Sequence, residues 1–394
     1  MRASDVFDLL RDGQPRTRAQ LAEVTGLARS TVSARLEALM RLGLVVPVEG
    51  VSTGGRPPAL LTFNPGARVV VGVDLGATHA RAAIADLDGR VLGERGTLLD
   101  IAEGPEPVLA WVEQIIRELL TEQRRPVADL VAVGIGLPGP VEHSTGRAIN
   151  PPIMPGWDRY DVPAAVQRAF AVPVLVDNDV NIMALGEQHA HLREVGDLVF
   201  IKVGTGIGAG IISGGALQRG AQGTAGDLGH VQVARASDVT CRCGNQGCLE
   251  AIAAVPAVAA AVRAAGVEVP GDHDVVDLVR AGDKAAVQAV RQAGRDLGEV
   301  LATLVNLVNP SSIVIGGSLA TAGEGLLAGI REVVYRRSLP LATEHLQITT
   351  SRAGERAGVI GAAALAISHV LAPESIDAAV DSGANVVELG VRAR

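Results

Sequence analysis

The sequence predicts an α/β protein with a small N-terminal head and a much larger body. The first 66 residues combine helical periodicity with two short strands. In the rest of the chain, apolar strands alternate with helical stretches and end in glycine-rich turns. All three cysteines fall in one short segment of that body. At 394 residues, the chain is long enough for two or three domains without disulfides.

Composition and charge narrow the class of protein. Apolar residues make up 48% and charged residues 20% of the chain. There is no uninterrupted apolar run of transmembrane length and no N-terminal signal pattern, so we expect a soluble, cytoplasmic protein. Residues 1 to 60 contain eight Arg and six Asp or Glu, a net charge of +2, whereas the remainder carries −10. A basic head on an acidic body suits contact with nucleic acid, although an uneven surface charge alone would look the same.

Two helices joined by a tight turn are predicted in the head. Thr17 stands three residues before Gln20, a capping box that begins a helix. Gly26 then allows a sharp turn. The next helix begins near Ser30 and buries apolar residues at helical spacing, namely Val32, Leu36, Leu39 and Met40. This arrangement is typical of a helix-turn-helix with its recognition helix second.

Two short strands, 44–48 and 60–63, follow the helices and are joined by a loop rich in Gly and Pro. The pair predicts a wing, whose Arg56 would enter a minor groove. The candidate DNA contacts share basic or hydroxyl side chains on these elements: Arg18, Arg29, Ser30, Thr31, Ser33, Arg35 and Arg56, with Arg16 and Arg41 as further phosphate contacts. A small protein-interaction module with a basic face is the alternative.

Three glycine-rich turns at strand ends suggest phosphate binding. In the first, Asp74 precedes Gly76 and Thr78, so that backbone N–H groups would face an anion and the carboxylate would hold hydrated Mg²⁺. The others follow strands 198–203 and 313–315. The candidate phosphate or nucleotide residues are Asp74, Gly76, Thr78, Thr205, Gly206, Gly316 and Gly317. Any one turn is explained by packing alone, but together they predict an ancestral nucleotide cleft.

Asn178 and Asp179 follow another apolar run, at a strand end where α/β folds bind ligands. A carboxylate there would take a proton from a sugar hydroxyl, with the amide fixing the hydroxyl's direction. Asn-Asp pairs are also common in plain turns, so the residues alone leave both interpretations open.

A cluster of metal-binding residue types is the strongest chemical signal. Cys241, Cys243 and Cys248 lie within eight residues, and His230 precedes them. Three thiolates and one imidazole form the closed tetrahedral set of a structural zinc, the alternative being inert free thiols. With no open position, the metal would organise the loop and direct Asp227 and Glu250 towards a polyhydroxyl ligand.

Taken together, these motifs resemble the ROK family of repressors and sugar kinases, over nearly the whole chain. The resemblance implies a two-lobed, actin-like (ribonuclease-H-like) body, with sugar bound by residues matching Asn178, Asp179, Asp227, His230 and Glu250. It also implies zinc on His230 and the three cysteines. In the kinase members the residue matching Asp179 abstracts a proton, and the regulator branch carries a winged helix-turn-helix in front.

Departures from the kinase pattern bear on function. The first turn has Gly76-Ala77-Thr78-His79 where the kinases usually have two glycines, threonine and lysine; Asp227 replaces a usual glutamate and Ser318 a usual glycine. These changes favour a sugar-responsive regulator, most simply a repressor of carbohydrate genes, over an ATP-dependent sugar kinase with an accessory DNA-binding head. ATP and Mg²⁺ belong only to the kinase alternative.

We expect four segments: a winged helix-turn-helix at 1–66, a first lobe at 67–180 plus about 354–371, a second lobe with the zinc loop at 181–353, and an appendage at 372–394. The expected partners are operator DNA and a sugar or sugar-phosphate effector, within a homodimer or homotetramer. Sugar bridging the lobes would change the spacing of the two recognition helices.

Overall fold

The structure, a computed structural model, describes residues 2–48 and 59–383. The predicted wing loop, with Arg56, lies outside the described residues, as do residues 384–394. Within these limits the predicted α/β fold is confirmed: a helix-turn-helix head precedes a body of two sheets.

The head contains the predicted helices and hairpin. Thr17 and Gln20 form the expected capping box, with each side chain accepting the other's backbone N–H, at 3.2 and 2.8 Å. Gly26 ends the second helix at a φ of 68°, in the left-handed region that favours glycine. Its elements are α1 (Ala3–Asp8), α2 (Arg18–Thr25), α3 (Arg29–Arg41), β1 (Val45–Val48) and β2 (Leu60–Phe63), the strands pairing antiparallel.

The first lobe is built on a five-stranded sheet of order β5-β4-β3-β6-β9. The strands β3 to β5 form an antiparallel meander, and β6 and β9 add parallel to β3. Its elements are β3 (Val69–Leu75), β4 (His79–Asp86), β5 (Val91–Leu98), α4 (Pro105–Glu122), β6 (Leu130–Leu137), β7 (Val141–Glu142), β8 (Arg147–Ala148), α5 (Val162–Phe170) and β9 (Val174–Asn178).

The second sheet repeats this topology, with the order β12-β11-β10-β13-β14 and the same antiparallel and parallel pairings. The elements from here to the second sheet's last strand are α6 (Asp179–His191), β10 (Leu198–Val203), β11 (Ile207–Ser213), β12 (Ala216–Gln218), α7 (Glu250–Ala253), α8 (Val255–Ala264), α9 (Val275–Arg280), α10 (Lys284–Val308), β13 (Ser312–Gly316), α11 (Glu324–Arg337), α12 (Pro340–Thr343) and β14 (Gln347–Thr350). Two sheets of one topology are the two-lobed, actin-like arrangement expected from the sequence.

Helices α6 and α13 (Ala357–Val370) lie between the lobes and pack on one another. Glycines permit the close approach: a β-carbon at Gly186 would overlap the carbonyl oxygen of Ala357, and one at Gly361 would overlap that of Ile182. Helix α13 also lies directly on Gly72 of β3 and Gly134 of β6. It is therefore packed backbone against backbone on both α6 and the first sheet.

The head and the end of the chain share one hydrophobic core. Helix α14 (Pro373–Asp381) buries Ile376 and Ala379 in a cluster that also holds Phe7 of α1 and Ile367 of α13. Asp377 accepts the backbone N–H of Ser4 at 3.0 Å and its hydroxyl at 2.9 Å. The segment predicted as an appendage thus includes a helix that packs on the head.

In the described part of the chain, no single helix has the length and hydropathy of a membrane span. One bent pair, 354–370 with 373–381, meets that test by length and composition only.

Candidate functional site

Asp179 lies where the two lobes meet. It is the first residue of α6, immediately after β9, and its side chain is only 6% exposed. The ammonium of Lys202, in the penultimate position of β10, donates a hydrogen bond to it. The pair therefore joins the end of the first sheet to a strand of the second.

Nearby carboxylates keep the Lys202 side chain protonated. Burial lowers the pKa of Lys202, but the paired Asp179 and the nearby charge of Asp74 outweigh this and leave the pKa above its ordinary value. Lys202 therefore stays protonated at neutral pH.

Asn178 anchors the start of α6 rather than pointing freely into the cleft. Its side-chain oxygen caps the helix by accepting the N–H of Val180 at 2.9 Å. Its amide nitrogen donates to the carbonyl of Gly139 at 2.8 Å. A pocket begins beside Gly139, lined from the first lobe by Pro140 and Glu142 and from the second by Thr224.

A second bridge between the lobes is centred on buried Asp177. It accepts the side-chain amide of Asn181 at 2.8 Å and the guanidinium Nε of Arg219, from the loop after β12, at 2.6 Å. His143 lies 3.9 Å from the same carboxylate. This network fixes the cleft wall beside Asn178.

The four predicted metal ligands converge. Their ligand atoms, from His230, Cys241, Cys243 and Cys248, all lie within 4.8 Å of one another. The Cys243 and Cys248 sulfurs are 3.7 Å apart, and His230 Nδ1 is 3.8 Å from the Cys241 sulfur. Tetrahedral zinc with metal–sulfur distances of about 2.3 Å requires sulfurs about 3.8 Å apart, so the donor set fits that ion.

Burial and the neighbouring thiols raise the pKa of the Cys248 thiol to about 12. At neutral pH this residue is a thiol until a cation displaces its proton. Metal binding and proton release are therefore linked at this cluster.

The two acidic residues beside the metal ligands are placed differently. Glu250 begins α7, and its Oε2 accepts the N–H of Ile207 at 3.1 Å, which holds the carboxylate against the turn between β10 and β11. Asp227 is exposed, one residue before the short 3₁₀ turn that carries His230. Both acids therefore belong to the second lobe, Glu250 against the turn after β10 and Asp227 on the surface.

The first predicted phosphate turn is closed on itself. The N–H of Gly76 donates to the carbonyl of His79 at 2.8 Å, so it does not point at the cleft. The imidazole of His79 covers Gly76, and its Nε2 lies 3.9 Å from buried Asp74. Thr78 is exposed on this turn.

The other two phosphate turns lie side by side at the ends of β10 and β13. Thr205 is exposed and Gly206 lies against Glu250. Gly316 is covered by the ring of Phe200, and Gly317 has a φ of 84° and lies against the backbone of Val203. These glycines are required by packing, whatever their role towards phosphate.

The head places most predicted DNA contacts on one helix. Arg29 and Ser30 are exposed at the start of α3, and Thr31, Ser33 and Arg35 are half-buried along it. Arg18 lies at the start of α2. Ser30, Thr31 and Arg35 line a shallow groove that Val380 of α14 borders on its other side.

Sequence reasoning missed the basic partners of the buried carboxylates, Lys202, Arg219 and Arg235. The signal at Lys202 was present: it is the one charged residue in strand 198–203, and lysine occurs at only one other position, Lys284. No local pattern pointed to Arg219 or Arg235, because their partners are distant in sequence.

Residues 70–369 match the sequence profile of the ROK family, three quarters of the chain. The chain belongs to the ROK family. Residues 1–49 match the IclR helix-turn-helix domain. This layout places the chain in the ROK branch of transcriptional regulators, as its resemblance predicted.

Relatives of this ROK chain support the same branch. It is 30% identical over 381 residues to the xylose repressor of Caldicellulosiruptor bescii, covering 93% of this chain and 95% of that one. It is also 30% identical to the DNA-binding transcriptional dual regulator NagC of Escherichia coli, covering 93% and 92%. These matches include the head.

A regulator and a kinase of known structure differ in how much of this chain they cover. A ROK family transcriptional regulator, a homolog of the E. coli MLC protein, superposes with a TM-score of 0.82 at 28% identity, covering 98% of both chains. A ROK family glucokinase from Streptomyces griseus has a TM-score of 0.64 at 30% identity and covers 76% of this chain and 99% of its own. The ROK kinase therefore matches the body without the head.

Proposed function

We propose that this chain is a repressor that binds operator DNA through α3 and responds to a sugar bound between the lobes. The observation that carries the proposal is a helix-turn-helix joined through one hydrophobic core to a sugar-kinase-like body. Relatives that match over head and body are named xylose repressor and DNA-binding transcriptional dual regulator NagC. We therefore expect sugar to weaken operator binding.

The proposed DNA surface is the exposed side of α3. Exposed Arg29 at its first turn would contact phosphate, and Thr31 and Ser33 would face base edges in the major groove. Arg18, at the start of α2, adds to the basic surface, and Arg35 lies half-buried in the groove that Val380 of α14 borders. Because the α3 face also borders α14, movement of that helix would change access to the groove.

A path of tight packing supports coupling between the two sites. Asp179 begins α6, and α6 meets α13 at Gly186 and Gly361 with backbone contacts that leave no room for independent sliding. Helix α13 leads within three residues to α14, which is hydrogen-bonded to α1. Sugar bridging the lobes would shift α6 and, through α13 and α14, the head.

We propose that sugar is bound by Asn178, Asp179, Asp227, His230 and Glu250, on the family resemblance. Asn178 would contribute from its capping position, and Glu250 from its place against the turn after β10. Zinc on His230, Cys241, Cys243 and Cys248 would supply structure, since the four protein ligands complete a tetrahedron. The chain's own residues would thus hold the sugar, with the metal fixing the segment that carries Asp227 and Glu250.

Phosphoryl transfer is the weaker alternative. The only described hydrogen bond of the Lys202 ammonium engages Asp179, the residue that would have to abstract a proton. The backbone N–H of Gly76 is used within its own turn. Asp179 would therefore meet a sugar hydroxyl together with a cation, and a kinase would need the Gly76 N–H free for phosphate.

The limits of the two lobes given from the sequence stand as part of this proposal. The first sheet ends at Asn178 and the second begins at Leu198, on either side of the proposed boundary at 180. Helix α13 packs on β3 and β6 of the first sheet, which supports its assignment to the first lobe.

The test is operator binding measured with and without sugar. Duplexes selected from a randomised pool would be titrated by fluorescence anisotropy in the presence of D-xylose, D-glucose or N-acetyl-D-glucosamine. We expect specific, salt-dependent binding that at least one sugar weakens, with no sugar phosphate formed when ATP and Mg²⁺ are added. Failure to select any duplex above non-specific affinity would contradict the proposal, and sugar-dependent ATP turnover would favour the kinase.

A further inference from the structure

Lys202 is an unusual residue in this chain. Of 35 basic residues, all but Lys202 and Lys284 are arginine. Lys284 is exposed at the start of α10, whereas the Lys202 side chain is 23% exposed and reaches from the second sheet to Asp179 at the end of the first. A lysine presents three N–H donors on a compact charge, without the planar fork of an arginine.

The Lys202 ammonium has N–H groups that no described residue accepts. Among the described residues, its one hydrogen-bond partner is Asp179, which takes one of its three N–H groups. Within the part of the chain that the structure describes, no hydrogen bond engages the other two N–H groups or Oδ1 of Asp179. A sugar hydroxyl suits this pair, because its oxygen accepts from an ammonium while its proton is donated to a carboxylate.

The charge around Lys202 is negative overall. Two carboxylates, those of Asp179 and Asp74, act on the single ammonium of Lys202. Arg219 does not change this balance, because it is hydrogen-bonded to buried Asp177. A phosphate ester brings a charge of about −1.5 to −2 at neutral pH and would be repelled here.

We infer that Lys202 is a sugar-contacting specificity residue, and that the effector is an unphosphorylated sugar with one hydroxyl bound between the Lys202 ammonium and the Asp179 carboxylate. This inference rests on the proposed function. It goes further by naming the chemical class of the effector and a contact that the family resemblance does not supply.

The first experiment compares neutral sugars with their esters by calorimetry. D-glucose and N-acetyl-D-glucosamine are titrated against their 6-phosphates, with D-xylose as a further neutral sugar. We expect at least one neutral sugar to bind, and a glucose or N-acetylglucosamine that binds to do so at least about tenfold more tightly than its 6-phosphate. A 6-phosphate that binds more tightly than every neutral sugar would overturn the inference.

Variants then test Lys202 itself. Lys202→Met should weaken binding of the neutral sugar at least about tenfold, and Lys202→Arg should recover part of that loss. Lys284→Met is the matched control and should bind as the wild type does. Unchanged sugar affinity in a folded Lys202→Met variant would overturn the inference.

Chemical labelling tests the contact in the unmodified protein, whether or not the variants fold. With only two lysines, acetylation by an N-hydroxysuccinimide ester can be followed by mass spectrometry at each, at about pH 9, where more of each side chain is the reactive free amine. Saturating sugar should slow acetylation of Lys202 several-fold and leave Lys284 unchanged; equal rates at Lys202 with and without sugar would contradict a direct contact.

These results also separate the inference from the proposed function. A phosphorylated sugar that binds and releases operator DNA would leave the regulator intact and overturn only the effector class. If neither class of sugar binds while operator binding persists, both the sugar response and this inference fail.

Discussion

Arg235 forms a two-pronged ion pair with buried Asp296, its Nε lying 2.8 Å from Oδ1. Arg235 lies between the metal ligands His230 and Cys241, and Asp296 lies within the long helix α10. Gln292 adds a hydrogen bond to the same carboxylate at 3.1 Å. The metal segment is therefore tied to the second lobe's helical layer by a contact 61 residues distant in sequence.

Arg235→Ala should destabilise the protein. The substitution leaves the buried Asp296 carboxylate with only Gln292 among its side-chain partners. We expect a loss of about 2 kcal/mol in the free energy of unfolding, measured by urea denaturation. Arg95→Ala removes an exposed ion pair of similar length, 2.8 Å to Glu122, and should cost less than about 1 kcal/mol. Equal losses in the free energy of unfolding would show that the buried Asp296 contact stabilises the protein no more than an exposed ion pair does.

Metal removal should loosen the cleft before it unfolds the protein. We expect about one zinc per chain by mass spectrometry of the metal content. Cys248→Ser should lose it, lower the thermal midpoint and weaken sugar binding, because the segment carrying Asp227 and Glu250 is no longer fixed. His273→Ala, at an exposed histidine of the same lobe, should keep the metal. Full sugar affinity in a metal-free protein would contradict this.

Stability should fall on mild acidification, with His189 as one cause. Burial, followed by the charge of Arg193, lowers the pKa of His189. Arg193 also lies 3.1 Å from Nε2 of the imidazole, where it donates only to the neutral ring. Since the folded pKa lies below the unfolded value of about 6.5, the unfolded state binds more protons as pH falls from about 6.5 towards the folded pKa.

The measurement is the free energy of unfolding between pH 7.5 and 5. The slope with pH should be smaller in His189→Gln than in the wild type, while His273→Gln should keep the wild-type slope. An identical slope in His189→Gln would show that His189 does not contribute to the pH dependence of the free energy of unfolding.

Arg29→Ala should weaken operator binding about tenfold and reduce its salt dependence by close to one ion. The reason is that Arg29 is exposed at the first turn of α3, where it would contact phosphate. Anisotropy at several salt concentrations measures both effects. Arg280→Ala, which removes an exposed arginine from the second lobe, is the control; a loss confined to selected duplexes, with the salt slope unchanged, would instead assign Arg29 to base contacts.

Local patterns in the sequence predicted the head well. The capping box at Thr17, the turn at Gly26 and the two strands all depend on neighbours in the chain, so a short window contains the information. Strand 198–203 was predicted with its observed limits for the same reason. The wing loop and Arg56 stay predictions, since they lie outside the described residues.

The site was less accessible to sequence reasoning, because its contacts join distant segments. The metal cluster was found from its residue types, and its convergence agrees with the structure. Asn178 was expected to orient a sugar hydroxyl, but its hydrogen bonds to Val180 and Gly139 could not be foreseen from an Asn-Asp pair. The shared topology of the two sheets also left no repeat visible in the sequence, since strand order depends on pairing and not on residue identity.

The two hydrogen bonds between Ser4 and Asp377 bear on how regulators with this domain order can acquire new DNA-binding heads. A head that recognises a new DNA sequence cannot be exchanged between relatives as residues 1–66 alone, because the helix at the other end of the chain completes its core. A transplanted head would bring Phe7 against a foreign α14, and Asp377 would face an unmatched partner. Functional chimaeras in this family should therefore be recombined at two points, so that both ends of the chain come from one parent.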